Sequence, residues 1–157
     1  MRKIRPLDSR YNTTVQEYIE IIRDLVKERS VARVKDIAEQ RGVSRSSVST
    51  ALSNLKELGL VEHEYYGYAV LTEEGQLLGD LLEHRHSIIL RFLTNILGIP
   101  EDTADEEACK LEHSISANTL NALMRFVKSV EECTKHKKIT LEDNPDEYCC
   151  IHSAIIG

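Results

Sequence analysis

The 157 residues are enough for one ordinary domain or two small ones sharing a core. With 41% apolar and 29% charged residues the chain is composed like a folded globular protein, which excludes disorder and fibrous repeats. No run approaches the roughly 20 apolar residues of a membrane span. The net charge of −6 argues at first against nucleic acid, but it is unevenly placed. Residues 1–72 carry 12 basic and 10 acidic side chains and residues 73–157 carry 8 and 16, so a near-neutral first half precedes an acidic half suited to holding a cation. The basic start, Met1-Arg2-Lys3-Ile4-Arg5-Pro6, is not followed by the apolar stretch of a signal peptide, so a cytoplasmic protein is expected. In that reducing setting four cysteines are read as thiols or metal ligands before disulfides.

In chain order, residues 1–12 lack periodicity and, with Arg2, Lys3, Arg5 and Arg10, are expected to form a mobile basic arm. Thr13 or Thr14 is expected to cap a helix in which Val15, Tyr18, Ile19, Ile22, Leu25 and Val26 recur at helical steps. Ala32-Arg33-Val34 suits a short strand, and residues 35–41 a second helix with Ile37 and Ala38 inward. Gly42-Val43-Ser44 makes the turn. Ser44 is the expected N-cap of a third helix over residues 45–58, with Val48, Leu52 and Leu55 buried and Gly59 as its left-handed stop. Residues 60–64 and 68–71 form a hairpin through Tyr65-Tyr66-Gly67. Helix, helix–turn–helix and hairpin in this order predict a winged helix–turn–helix.

Such a module binds double-stranded DNA. The third helix presents Arg45, Ser46, Ser47, Ser49, Thr50 and Asn54 away from its apolar stripe, where small hydroxyls allow close approach to base edges in the major groove. Arg33 and Lys35, with Arg10 and Arg41, are candidates for flanking phosphates.

Thr72 is expected to cap a long helix reaching Leu97, with apolar pairs from Leu77/Leu78 to Ile96/Leu97. Gly98-Ile99-Pro100 stops it, and two more helices are predicted over residues 103–114 and 117–133. A three-helix unit this apolar is expected to bury its stripe against a second copy, giving a homodimer. The fold class predicted is therefore mainly α: a winged helix–turn–helix (1–72), then an all-helical metal-binding and dimerisation domain (73–135), then a tail (136–157).

The metal assignment rests first on Cys109, Glu112 and His113. At i, i+3 and i+4 they share one helix face, and thiolate, carboxylate and imidazole together suit a first-row transition metal. Glu17 and Glu20 share a face of the first helix, and His86 sits among the leucines of the long one.

These residues carry a resemblance. Glu17-Tyr18-Ile19-Glu20, the winged module, Arg85-His86 and above all the run from Glu107 through Ser116 resemble the metal-dependent repressor family typified by the diphtheria toxin repressor and the manganese transport regulator, over roughly residues 13–130. The resemblance implies metal ligands at Glu17, Glu20, His86, Cys109, Glu112 and His113, repression of metal-homeostasis genes, and a dimer on a palindromic operator. In the manganese branch an Asp stands at the first position and a Glu at that of Cys109. In the iron branch a Cys stands there, with a Met in place of Glu17 and a non-ligand in place of Glu20. The chain is thus a hybrid. Its thiolate favours Fe(II), with Mn(II) second and Co(II), Ni(II) or Zn(II) as substitutes in vitro. The iron branch's ancillary His, Glu and His match His86, Leu90 and Asp105 here, so that site is not expected to form as it does there. The SH3-like domain of longer relatives is not expected in the tail.

Cys133, His136, Cys149, Cys150 and His152 form a second candidate metal or thiol site, set against the plain reading of a loose end with incidental cysteines. A thiol-redox repressor using Cys133, Cys149 and Cys150 is the rival function. A metalloenzyme is not expected, since no nucleophile, phosphate loop or separate cleft accompanies the cluster. No membrane and no small organic substrate are expected as partners.

Overall fold

The computed structural model describes residues 11–63 and 67–136. The predicted basic arm before Tyr11, the wing tip with Tyr65 and Tyr66, and the tail with Cys149, Cys150 and His152 lie outside the described residues. Two compact units divide between His84 and Arg85, inside the helix that begins at Glu73.

The first unit contains helix α1 (Thr13–Arg29), strand β1 (Ala32–Arg33), helix α2 (Val34–Arg41), helix α3 (Arg45–Glu57), strands β2 (Val61–His63) and β3 (Tyr68–Leu71), and the start of helix α4 (Glu73–Arg91). The strands form an antiparallel sheet in the order β1-β3-β2, with Ala32 opposite Ala69 and Glu62 opposite Val70. This is the winged helix–turn–helix that the element order predicts.

Local sequence accounts for most of the element ends. Asn12, not Thr13 or Thr14, caps α1, its side chain accepting from the Val15 amide at 3.0 Å. Tyr11 and Asn12 thus belong to the folded unit, not to an arm. Tyr11 is buried, and its carbonyl accepts from Gln16 Nε2 at 2.6 Å. Ser44 caps α3 through the Ser47 amide, and Gly59 takes the left-handed conformation at φ +73°.

Val15, Tyr18, Ile19, Ile22 and Leu25 of α1 meet Ile37 of α2, Val48, Leu52 and Leu55 of α3, Leu60, Ala69, and Leu78 and Leu82 of α4 in one core. Val26 and Leu77 were expected in these stripes, but both are exposed because they lie at the margins of their apolar arcs. Around the core, Arg23 bonds Asp80 at 2.7 Å and Glu83 at 2.5 Å, and Lys27 bonds Glu83 at 2.9 Å.

The second unit comprises α4 from Arg85, a π turn (Phe92–Ile96) that continues it, helix α5 (Glu101–Glu112) and helix α6 (Ala117–His136). The predicted long helix therefore loses α-geometry after Arg91, and Leu97 is exposed. Ile88, Ile89, Leu93, Ala104, Ala108, Leu120 and Val127 are buried, and Phe92 meets Phe126 edge-on at 6.3 Å. Glu101 and Asp102 favour the amino end of α5, and Ser116 caps α6 by accepting from the Thr119 amide.

The join between wing and α4 is tight. Thr72 Oγ1 donates to the Gly59 carbonyl at 2.6 Å and accepts from the Gly75 amide at 3.1 Å. A methyl group at Gly75 would overlap the Leu60 carbonyl oxygen, whereas at Gly79 it would meet side-chain atoms alone, Arg23 Cδ and Nη1 at 3.1 Å and Ile19 Cγ2 at 3.5 Å. Gly75→Ala is expected to lower stability by about 1–3 kcal/mol. Gly79→Ala is expected to be neutral or to stabilise by up to ~1 kcal/mol through helix propensity. Urea titration of both variants checks this; equal behaviour would disprove the account of the join.

Candidate metal centre and nucleic-acid face

The carboxyl end of α5 organises the centre. Cys109, Glu112 and His113 bring one ligand atom each within 4.8 Å of one another. His113 lies just past the helix but keeps right-handed backbone angles, φ −77° and ψ −20°, so the i+4 relation to Cys109 survives the helix end. Cys109 is exposed, Glu112 is 1% exposed and His113 is half-buried.

From α4, two consecutive residues reach this end of α5. Arg85, 2% exposed, donates from Nη2 to the carbonyls of Glu112 at 2.5 Å and Ile115 at 2.6 Å, and from Nε to Glu112 at 3.2 Å. It thereby satisfies carbonyls that the helix terminus leaves without amide partners. His86 Nδ1 stands 3.4 Å from Glu112 Oε2, and its Nε2 is 3.1 Å from Asp105 Oδ1. Glu112 Oε2 itself is buried and has no hydrogen bond of good geometry.

A buried carboxylate faced by a histidine at 3.4 Å but without a well-formed hydrogen bond at Oε2 is one that a metal cation would satisfy further. The donor set of thiolate, carboxylate and imidazoles is one that first-row transition metals take. The residues present therefore fit a metal ion.

Four of the six predicted ligands, His86, Cys109, Glu112 and His113, come together in this unit. Glu17 and Glu20 belong to α1 in the other unit, where Glu17 is ion-paired with Arg41. Cys133 is a half-buried thiol on α6, and His136 ends that helix. Sequence reasoning missed Arg85 as part of the site. Its only signal was adjacency to His86, because nothing in the sequence marks an arginine as buried.

In the first unit, all eight predicted DNA-contacting residues, Arg33, Lys35, Arg45, Ser46, Ser47, Ser49, Thr50 and Asn54, are exposed. Val48, Leu52 and Leu55 of the same helix are buried. Ser49 and Thr50 donate their hydroxyl protons to the carbonyls of Arg45 and Ser46, leaving lone pairs outward. Ser53, not singled out from sequence, does the same toward Ser49. The Arg33 guanidinium lies over the Tyr68 ring at 5.7 Å.

A winged helix followed by a helical unit bearing a transition-metal donor set is the architecture of a metal-responsive transcriptional regulator. Residues 11–69 match the family model for the iron dependent repressor N-terminal DNA binding domain, and residues 72–141 that for the iron dependent repressor metal binding and dimerisation domain. The chain belongs to this family of metal-dependent repressors, whose members are regulators, not enzymes.

It is 35% identical over 114 residues to the transcriptional regulator MntR of Escherichia coli, covering 73% of each chain. It is 34% identical over 125 residues to the HTH-type transcriptional regulator MntR of Bacillus subtilis, covering 80% of this chain and 87% of that one. Among solved structures, a manganese-dependent transcriptional repressor in complex with manganese superposes with a TM-score of 0.63 at 32% identity. That match covers 72% of this chain and 52% of the other. IdeR of T. acidophilum superposes with a TM-score of 0.62 at 26% identity, over 77% of this chain and 54% of the other. The chain thus spans about half the length of these solved structures. No helix among the described residues is long and apolar enough to cross a membrane.

The Glu112 carboxylate beside Nδ1, reinforced by Asp105 at Nε2, outweighs the burial of the ring and pushes the His86 pKa up to about 9. A histidine raised in this way stabilises the fold fully below its unfolded pKa, about 6.5, and ceases to do so as pH rises through about 9. The metal-free chain is therefore expected to lose thermal stability across that window. His86→Gln should flatten this part of the stability profile; an unchanged profile would refute the charged His86–Glu112 pair.

Proposed function

We propose that this chain is a cytoplasmic, metal-activated repressor that binds a palindromic operator as a homodimer and controls metal-homeostasis genes. The observation that carries the reading is the meeting of Cys109, Glu112, His113 and His86 around a buried carboxylate in a chain that also presents an exposed recognition helix.

In this reading Glu17, Glu20, His86, Cys109, Glu112 and His113 hold the ion. The ion supplies two positive charges to a set of carboxylates that otherwise repel one another. In a dimer, metal occupancy then favours the form in which the two α3 helices lie one helical turn of DNA apart, roughly 34 Å. Arg45 and the hydroxyls of Ser46, Ser47, Ser49 and Thr50, with Asn54, read base edges and nearby phosphates, while Arg33 and Lys35 add flanking phosphate contacts. Coupling of this kind is typically about 1–3 kcal/mol, and it is reciprocal: operator tightens metal binding by the same factor. The half-buried row Leu123, Met124 and Val130 on α6 supports a face that a second copy covers.

The order of metals rests on Cys109 alone. Its thiolate favours Fe(II), whereas the manganese-dependent repressor above and the manganese regulator SloR, 33% identical, give that preference no support. Both ions are therefore taken as activators, and Cys109 as the residue that sets their ratio.

The decisive experiment is an anaerobic titration of Mn(II) or Fe(II) into the protein with duplexes selected from a random-sequence pool, counting metal per chain. Glu112→Ala and His113→Ala are each expected to abolish metal-dependent DNA binding while leaving the dimer folded; metal-independent binding of wild-type strength would sink the mechanism. Cys109→Glu is expected to move the Fe(II)/Mn(II) affinity ratio toward Mn(II) by tenfold or more, about 1.4 kcal/mol. An unchanged ratio would remove Cys109 as the selector.

A further inference from the structure

We propose that Arg41 is a built-in competitor for the metal: its guanidinium occupies the Glu17 carboxylate in the metal-free chain, and Glu17 becomes a ligand only as that ion pair opens. The inference rests on the reading of Glu17 as a ligand given above.

Arg41 closes α2, just before the left-handed Gly42, and its Nη2 donates to Glu17 Oε2 on α1. A cation in the last turn of a helix is favoured by the helix dipole, so Arg41 is held where it serves Glu17. The cations of α1 itself are committed elsewhere: Arg23 to Asp80 and Glu83, Lys27 to Glu83, and Arg29 to Asp36. A guanidinium bonds the same carboxylate lone pairs that a metal ion needs. The two therefore exclude each other at Glu17.

The pair is only partly shielded, at 32% and 28% side-chain exposure, and pairs of this kind hold weakly. The competition is thus a trim on metal affinity, not a block. It has a structural consequence as well, because the pair ties α1 to α2. Capture of Glu17 by metal undoes a tie between the helix that supplies a ligand and the first helix of the helix–turn–helix. One side chain therefore links metal occupancy to the inside of the DNA-binding unit.

The test needs no DNA. Full-length protein, stripped of metal and kept anaerobic, is titrated with Mn(II) against a fluorescent chelator, using wild type, R41Q, R41K, E17Q and the double variant E17Q/R41Q. Melting curves check that each is folded. The expected result is that R41Q binds Mn(II) two- to five-fold more tightly, the upper figure being ~1 kcal/mol. R41K should lie between R41Q and wild type, and E17Q should weaken binding tenfold or more. In the E17Q background the Arg41 substitution should have no effect.

If R41Q matches wild type or binds more weakly while E17Q still loses affinity, the competition is overturned and the ligand assignment stands. If E17Q leaves affinity unchanged, the ligand assignment fails and the competition fails with it. A gain in R41Q that persists in the double variant also overturns the proposal, since it would then arise away from Glu17.

Discussion

The Glu112 carboxylate lies inside the helical unit with 1% of its surface exposed, and burying such a charge must be offset by positive charge. Arg85 and His86, consecutive on α4, supply the first instalment. One binds the carbonyl of Glu112 and the other faces its carboxylate. Because Oε2 is left without a well-formed hydrogen bond, the arrangement is stable yet receptive. The interior of α4 is tied to the carboxyl end of α5 around a group that a divalent ion would satisfy better than an imidazolium does.

The DNA-binding unit follows a different logic. Its core is apolar and closed by residues of α1, α2, α3 and the first part of α4, and its polar chemistry is kept on one exposed face. The hydroxyls of Ser49, Thr50 and Ser53 turn their protons back onto the helix, so the face offers lone pairs and the Arg45 cation outward. Such a surface needs a partner with both donors and anionic groups, which duplex DNA has in its base edges and phosphates. The Glu17–Arg41 pair is where the two kinds of chemistry meet within this unit.

Family membership and local chemistry pull in different directions on the choice of metal. Carboxylates at Glu17 and Glu20 and the manganese regulators among the relatives belong with a hard ion; the Cys109 thiol belongs with a softer one. A thiol exposed in the last turn of α5 remains reachable by solvent, so the residue proposed to tune the metal is also the most open of the Cys109, Glu112 and His113 group.

Much of this was legible in the linear sequence, because it depends on spacing. The helical period placed Val48, Leu52 and Leu55 inside and the serines outside. The i, i+3, i+4 spacing put Cys109, Glu112 and His113 on one face, and Ser44 and Gly59 marked the ends of α3. Where spacing allowed neighbouring choices the reading slipped, as with Asn12 against Thr13 and Thr14 for the α1 cap, or the π turn that ends α4 early. Only the tertiary structure could bury Arg85 under the end of α5, set His86 between Glu112 and Asp105, or close Arg41 onto Glu17. Each of these joins residues 19 to 27 positions apart. No local period encodes such a pairing; it follows from how whole helices pack, and it decides which charges share a low-dielectric interior and which remain in water.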